Sequence, residues 1–235
     1  MKTIGLIGGM SWESTAVYYR EINERMRKRH GGLVSADILL RSVDFSQIVA
    51  QQQAGRWDQA GADLAQIGQQ LENAGAACVL ICTNTMHKVA DQVAQAIGVP
   101  LLHIVDVTGT ALQQAGMRRP LLLATRYTME QDFYHDRLAA RFGIEALIPD
   151  EPDRTLVHEV IFNQLCQGIV CPESKQAFLD VIARGKAAGA DSVILGCTEI
   201  GLLIGLDDGE LPVFDSTYLH AQAAVDFSDA GVAAT

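Results

Sequence analysis

Cys197 and Thr83 are the two positions in this 235-residue chain whose type and setting could move a proton. Each closes an apolar run and opens a polar step: Val193-Ile194-Leu195-Gly196-Cys197-Thr198-Glu199 and Val79-Leu80-Ile81-Cys82-Thr83-Asn84-Thr85. A thiol, with a reference pKa near ~8.5 that positive surroundings lower, is a credible base. An alcohol is about as weak an acid as water, at roughly 15.7, so it is a poor base yet an adequate donor to a carbanion. One group that removes a proton from one face of a carbon, and another that returns a proton to the opposite face, together invert a stereocentre.

An internal repeat makes these two positions equivalent. Ala74-Gly75-Ala76-Ala77-Cys78-Val79-Leu80-Ile81-Cys82-Thr83-Asn84-Thr85 aligns without a gap onto Ala188-Gly189-Ala190-Asp191-Ser192-Val193-Ile194-Leu195-Gly196-Cys197-Thr198-Glu199, 114 residues on. Leu6-Ile7-Gly8-Gly9 resembles Leu122-Leu123-Ala124-Thr125 at the close offset of 116. The repeat predicts two similar α/β lobes, each a mainly parallel sheet flanked by helices, related by a pseudo-two-fold with the site in the cleft. Residues 1–106 with 213–235 would form the N-terminal lobe and 107–212 the C-terminal lobe. A two-fold would set Thr83 and Cys197 facing one another. The plainer alternative is coincidence, because A-G-A before an apolar strand is common in α/β proteins.

The elements that must position these residues follow from the same alternation. Short apolar runs at Thr3–Ile7, Ile38–Val43, Cys78–Ile81, Leu101–Val105, Leu121–Ala124, Ala146–Ile148, Val193–Leu195 and Val213–Phe214 predict strands. Helical stretches lie between them at Ser14–Lys28, Trp57–Ala74, Met86–Ile97, Glu130–Phe142, Asp153–Gly168 and Glu173–Ala188, and Asp229–Thr235 reads as a fraying tail. In open α/β sheets, ligands bind beyond the carboxyl ends of strands. Four such ends turn small or polar here: Gly8-Gly9-Met10-Ser11, Thr83-Asn84-Thr85, Thr125-Arg126-Tyr127-Thr128 and Cys197-Thr198-Glu199. Backbone N–H groups at helix starts there suit a carboxylate as well as a phosphate. Each has a structural alternative: Gly8-Gly9 as a tight turn, Asn84 and Thr85 as helix caps, Cys78 and Cys82 as buried core thiols, His87 and His103 as holders of a turn.

Composition narrows the partners. A net charge of −10 and a pI near 5.0 argue against nucleic acid, which selects basic surfaces. No apolar run reaches the ~18 residues of a membrane span, and Met1–Ile7 is too short for a signal peptide. Five cysteines in an untargeted chain point to reduced thiols in a cytoplasm. Their spacing lacks a paired C-x-x-C zinc pattern, so no metal is expected. No P-loop or G-x-G-x-x-G pattern is present.

Three segments together, Ile7-Gly8-Gly9-Met10-Ser11, Asn84-Thr85-Met86-His87 and Gly196-Cys197-Thr198-Glu199-Ile200, resemble the aspartate/glutamate racemase family across essentially the whole chain. Cys82–Lys88 and Thr125–Asp132 are most similar to its enterobacterial broad-range or L-aspartate/glutamate-specific branch. The resemblance implies a two-lobed fold, an interlobe active site, no pyridoxal phosphate or other cofactor, no metal, an amino-acid substrate and a homodimer. It also implies a catalytic pair of cysteines, one per lobe. Cys197 matches the second, whereas Thr83 stands where the first belongs and Cys82 lies one residue earlier. A one-residue shift on a strand turns the side chain to the other face, so Cys82 is not expected to substitute. The resemblance carries substrate contacts to Met10, Asn84, Thr85, Thr198 and Glu199, and to Gln52 and Gly168 on loops rimming the cleft. A family lysine is matched by Cys166, and a family arginine has no clear counterpart, with Arg41 and Gln52 nearby.

The expected activity is cofactor-independent racemisation of amino acids, aspartate or glutamate first. Cys197 would be base for the L-enantiomer, and Thr83 the opposite-face donor, kinetically biased from L to D. The alternatives are a related isomerase, such as a maleate isomerase or hydantoin racemase, and a non-catalytic binding protein for an anionic metabolite.

Overall fold

The computed structural model describes residues 1–230, which divide into two compact units, Met1–His103 with the chain from His220 onward, and Ile104–Leu219. Residues 231–235 of the expected tail lie outside the described residues, and Asp229 ends a helix.

The first unit contains β1 (Ile4–Gly8), α1 (Trp12–His30), β2 (Ile38–Ser42), α2 (Phe45–Gln53), α3 (Trp57–Asn73), β3 (Cys78–Ile81) and α4 (Ala90–Ala96). Its strands are parallel in the order β2-β1-β3, and Leu101 adds a single parallel bridge to Val79. Both faces of β1 and β3 are buried, which explains their unbroken apolar character. Ile7, Val79 and Ile81 pack with Leu64 and Leu71 of α3 and Val93 of α4. Ile4, Leu6, Cys78, Leu80 and Cys82 pack on the other face with Tyr18, Ile22 and Met26 of α1.

The second unit contains α5 (Ile104–Gln114), β4 (Pro120–Leu123), α6 (Arg126–Glu130), α7 (Asp132–Phe142), α8 (Glu151–Asn163), α9 (Pro172–Ala187), β5 (Ser192–Leu195) and β6 (Val213–Asp215). Its sheet is also parallel, in the order β4-β5-β6, with Leu147 bridging Leu121. Its core gathers Leu121–Ala124, Val193–Leu195, Phe178, Val181 and Ile182 of α9, and Leu138 of α7. Helix α10 (Ser216–Asp229) begins in this unit and belongs to the first from His220 onward.

The two sheets share one plan, β2-β1-β3 plus the Leu101 bridge in one unit and the Leu147 bridge plus β4-β5-β6 in the other. The repeated A-G-A is the same helix stop twice. Gly75 (φ 105°) follows α3 and Gly189 (φ 95°) follows α9. In each case the next alanine N–H returns to a carbonyl five residues back, Leu71 or Gly185, at 3.0 Å.

The structure departs from the sequence expectation at several points: Ala146–Ile148 contributes the Leu147 bridge rather than a strand, and Met86–Ile97 opens as a 3₁₀ turn before α4. Val213–Asp215 pairs with β5, so it belongs to the second unit rather than the first. The run Leu101–Val105 contributes one bridging residue and then becomes α5, whose Ile104, Val105, Thr108 and Leu112 form a buried helical stripe. Helix α2 was not expected, although Asp44 caps it by accepting the Ser46 N–H at 3.0 Å.

His220 ties α10 into the first unit. Its Nε2 lies 2.7 Å from the Leu102 carbonyl, which can only accept, so Nε2–H donates. Its Nδ1 then accepts the Tyr18 hydroxyl at 2.8 Å. Burial disfavours the imidazolium and lowers the pKa to about 4. Between pH 6.5 and 4 the unfolded chain therefore binds a proton at His220 that the folded chain does not, and stability rises with pH across this window. The interval corresponds to roughly 3 kcal/mol. Denaturant titrations at pH 7 and pH 4.5 should show this loss on acidification, and His220→Gln should show a smaller one; equal losses in both proteins would refute the assignment.

Candidate active site

At the first unit's strand tips, Gly8 ends β1 and the chain turns through Gly9. Gly9 has φ 89°, and a Cβ there would come within 2.3 Å of the Val43 carbonyl, so the turn demands glycine. This is the structural role that Gly8-Gly9 allowed. The turn delivers Met10, buried at 4% exposure, into the cluster that holds Ile48 and Met86. Gln52 is on helix α2 rather than on a loop, and it is buried. Among the described residues its amide Nε2 donates to a thioether, Met86 Sδ at 3.2 Å. A buried amide on so weak an acceptor retains capacity for a carboxylate.

Thr83 follows β3 and is half-buried. Both of its main-chain polar groups are engaged. Its N–H donates to the Ile81 carbonyl at 2.8 Å, and its carbonyl accepts from His87 Nδ1 at 2.8 Å. Asn84, Thr85, Met86 and His87 are all buried, the last three in a 3₁₀ turn over Thr85–Val89. Cys82 is fully buried on the α1 face of the sheet, where burial pushes its thiol up. Burial likewise raises Cys78, to about 12. Both are core thiols.

At the second unit's tip, Gly196 lets β5 lie against β4: a Cβ there would fall 2.7 Å from Leu122. Cys197 follows, only 8% exposed, and its Sγ–H donates to Glu199 Oε2 at 3.0 Å. The same carboxylate oxygen accepts the Thr198 hydroxyl at 2.6 Å, and Thr198 and Glu199 are both buried. Burial, then the Glu199 carboxylate, then Cys166 hold the thiol well above its ordinary value. The site therefore keeps its proton on sulfur, with an acceptor already in contact. That acceptor role was not visible in the sequence, where Glu199 read as a substrate contact. Cys197 and Glu199 lie beyond the end of β5 at Leu195, where no regular element sets side-chain direction, so their pairing could not be read from periodicity.

Cys166 lies in the 3₁₀ turn Leu165–Gln167 and is half-buried within electrostatic reach of Cys197. Gly168 caps that turn at φ 73°, is exposed, and has nothing near its Cβ direction, so its structural role is the turn itself. Arg41 is exposed on β2, its guanidinium on the Ser42 carbonyl at 2.9 Å. Met10, Gln52, Thr83, Asn84 and Thr85 thus gather in the first unit, and Cys197, Thr198 and Glu199 in the second. Among the described residues, no group of three or more His, Cys, Asp or Glu is arranged to hold a metal ion, and no helix is long and apolar enough to cross a membrane.

Two parallel α/β units of one plan, with small and polar residues at their strand tips, are the architecture of a racemase family. The chain belongs to the Asp/Glu/hydantoin racemase family, which it matches over residues 7–224. It is 49% identical to a crystal structure assigned as an Asp/Glu racemase from Yersinia pestis, with a TM-score of 0.90 over 97% of this chain and 99% of that one. An aspartate racemase homologue from Pyrococcus horikoshii is 31% identical with a TM-score of 0.86, over 97% of this chain and 100% of that one. A broad-specificity amino-acid racemase of Bacillus subtilis is 24% identical over 94% of this chain and 96% of its own length.

Proposed function

We propose that this protein is a cofactor-independent racemase of amino acids, with aspartate and glutamate as its first substrates. The observation that carries the reading is the buried Cys197 thiol held on the Glu199 carboxylate, at the strand tip that the repeat equates with Thr83. In the L-to-D direction, Glu199 takes the thiol proton as substrate docks. The Cys197 thiolate then accepts the α-proton, and the Thr83 hydroxyl, directly or through a water, protonates the carbanion on its other face. The under-used amide of Gln52, with Asn84, Thr85, Met10 and Thr198, supplies substrate contacts. Membership of the family and the acidic names of the two similar structures support the substrate class. A cytoplasmic homodimer fits the five cysteines outside any disulfide and the large apolar side chains exposed on α1 and β2, Trp12, Tyr19 and Leu40.

Enantiomers have equal free energies, so kcat/KM must be the same in both directions. The L-to-D bias therefore resides in kcat and KM taken separately. D-substrate binds to a site whose facing group is an alcohol, giving it both a low kcat and a low KM.

The test is Cα deuterium incorporation in D₂O across L-aspartate, L-glutamate and L-alanine. Incorporation is expected with the acidic pair, at least tenfold faster than with alanine, since a site that pairs a substrate carboxylate discriminates by on the order of 1.4 kcal/mol per tenfold. Exchange with none of them would point instead to a binding protein or to an isomerase of another acid.

A further inference from the structure

We infer that His87 is a positioning residue for the Thr83 half of the reaction, held in place by a buried trio of histidines. The inference rests on the assignment of Thr83 as proton donor.

The Thr83 carbonyl can only accept, so the 2.8 Å contact fixes the proton of His87 on Nδ1. With the Thr83 N–H on the Ile81 carbonyl, the peptide groups on both sides of Thr83 are fixed. The direction of its Cα–Cβ bond is fixed with them, and that bond aims the hydroxyl. Asn84 makes no side-chain cap to the 3₁₀ segment, and the His87 ring holds the Thr83 carbonyl at the start of the turn. The His87 ring is itself boxed in. His103 meets it edge-on at 4.6 Å between centroids, and His220 at 5.8 Å. His220 is pinned at both nitrogens by Tyr18 and Leu102. His87, His103 and His220 are 3%, 8% and 0% exposed, so the His87 ring is held by protein on its buried side rather than by solvent.

Positioning of this kind acts on one face of the substrate. Cys197 removes the α-proton from L-substrate and can return a solvent deuteron to the same face, which is exchange with retention. Inversion alone needs Thr83. Loss of the His87 donor should therefore change the partition between the two outcomes, whereas a general loss of folding lowers both.

The experiment follows L-aspartate in D₂O, scoring deuterated L-product and D-product separately. His87→Leu keeps the ring's apolar volume and removes the donor. It should lower inversion by about 100-fold, the cost of a misplacement near 1 Å, while retention exchange stays within about threefold. His87→Asn keeps an N–H near the Nδ1 position and should recover inversion to within about tenfold of wild type. Inversion and retention falling together in His87→Leu, or neither falling, overturns the inference, as does a lack of rescue by asparagine. Thr83→Ala calibrates the readout and should itself shift the partition. If Thr83→Ala leaves the partition unchanged, the assignment of Thr83 fails and takes this inference with it. If Thr83→Ala shifts the partition and His87→Leu does not, only the role of His87 is lost.

Discussion

Cys197→Ser should lower kcat with either enantiomer by on the order of a thousandfold, the middle of the range for removing a general acid or base. The substitution changes one atom. A serine hydroxyl can still donate to Glu199, and Thr198 still supplies the second hydrogen bond to that carboxylate. Thermal unfolding should therefore move by a few degrees at most. What changes is acidity. An alcohol is about seven pKa units weaker than a thiol, on the order of 10 kcal/mol in the free energy of forming the anion. Burial and Glu199 already hold the Cys197 thiol above its ordinary value, so the native site works with little room. A buried alcohol in the same place has none. On the proposed mechanism both directions should fail, because Cys197 serves as base in one and acid in the other. Polarimetry on L- and D-aspartate, beside a melting curve, checks both statements; a serine enzyme with a tenth of native activity would remove Cys197 from the reaction.

Several site features could be read from the sequence because they depend on local periodicity. Strand parity separated Cys82 from Thr83, and the packed face of the first sheet shows why: Cys78, Leu80 and Cys82 alternate into the α1 core, while Val79 and Ile81 enter the α3 core. The repeat was legible because Gly75 and Gly189 serve the same left-handed stop after a helix, a demand that few other residues meet. Most strand positions followed from apolar runs buried on both faces.

Other features depend on residues far apart or on choices that composition does not make. Leu101–Val105 has the composition of a strand, yet its single bridge and the stripe of α5 decide otherwise. Gln52 reads as a loop residue because α2 carries few large apolar residues; the Asp44 cap is the available signal. The histidine trio draws on α10, whose His220 reaches Tyr18 across 202 residues of sequence and Leu102 across 118. No periodic pattern reports a pairing at that separation.

Thr83→Cys should raise the D-to-L kcat by at least tenfold and bring the two kcat values toward one another, since general-base catalysis contributes 10²–10⁴-fold and the native hydroxyl supplies little of it. The replacement is locally mild. Thr83 is half-buried, and its hydrogen bonds to Ile81 and His87 are made by the main chain, so a cysteine inherits the same backbone position. On the proposed mechanism, L-to-D turnover ends with the proton deficit on the threonine side, and this relaxes downhill to the Cys197 thiolate. D-substrate must begin from the uphill form. A thiol at 83 removes most of that climb, so D-substrate no longer waits in a complex without a competent base, and its KM should rise with its kcat. Equality of kcat/KM for the two enantiomers must hold in native and variant enzymes alike, and it serves as a control on the measurement. Initial rates from each enantiomer, taken below 5–10% conversion, give the four constants. An unchanged D-to-L kcat in a folded variant would separate Thr83 from the proton transfer and leave Cys197 with a different partner.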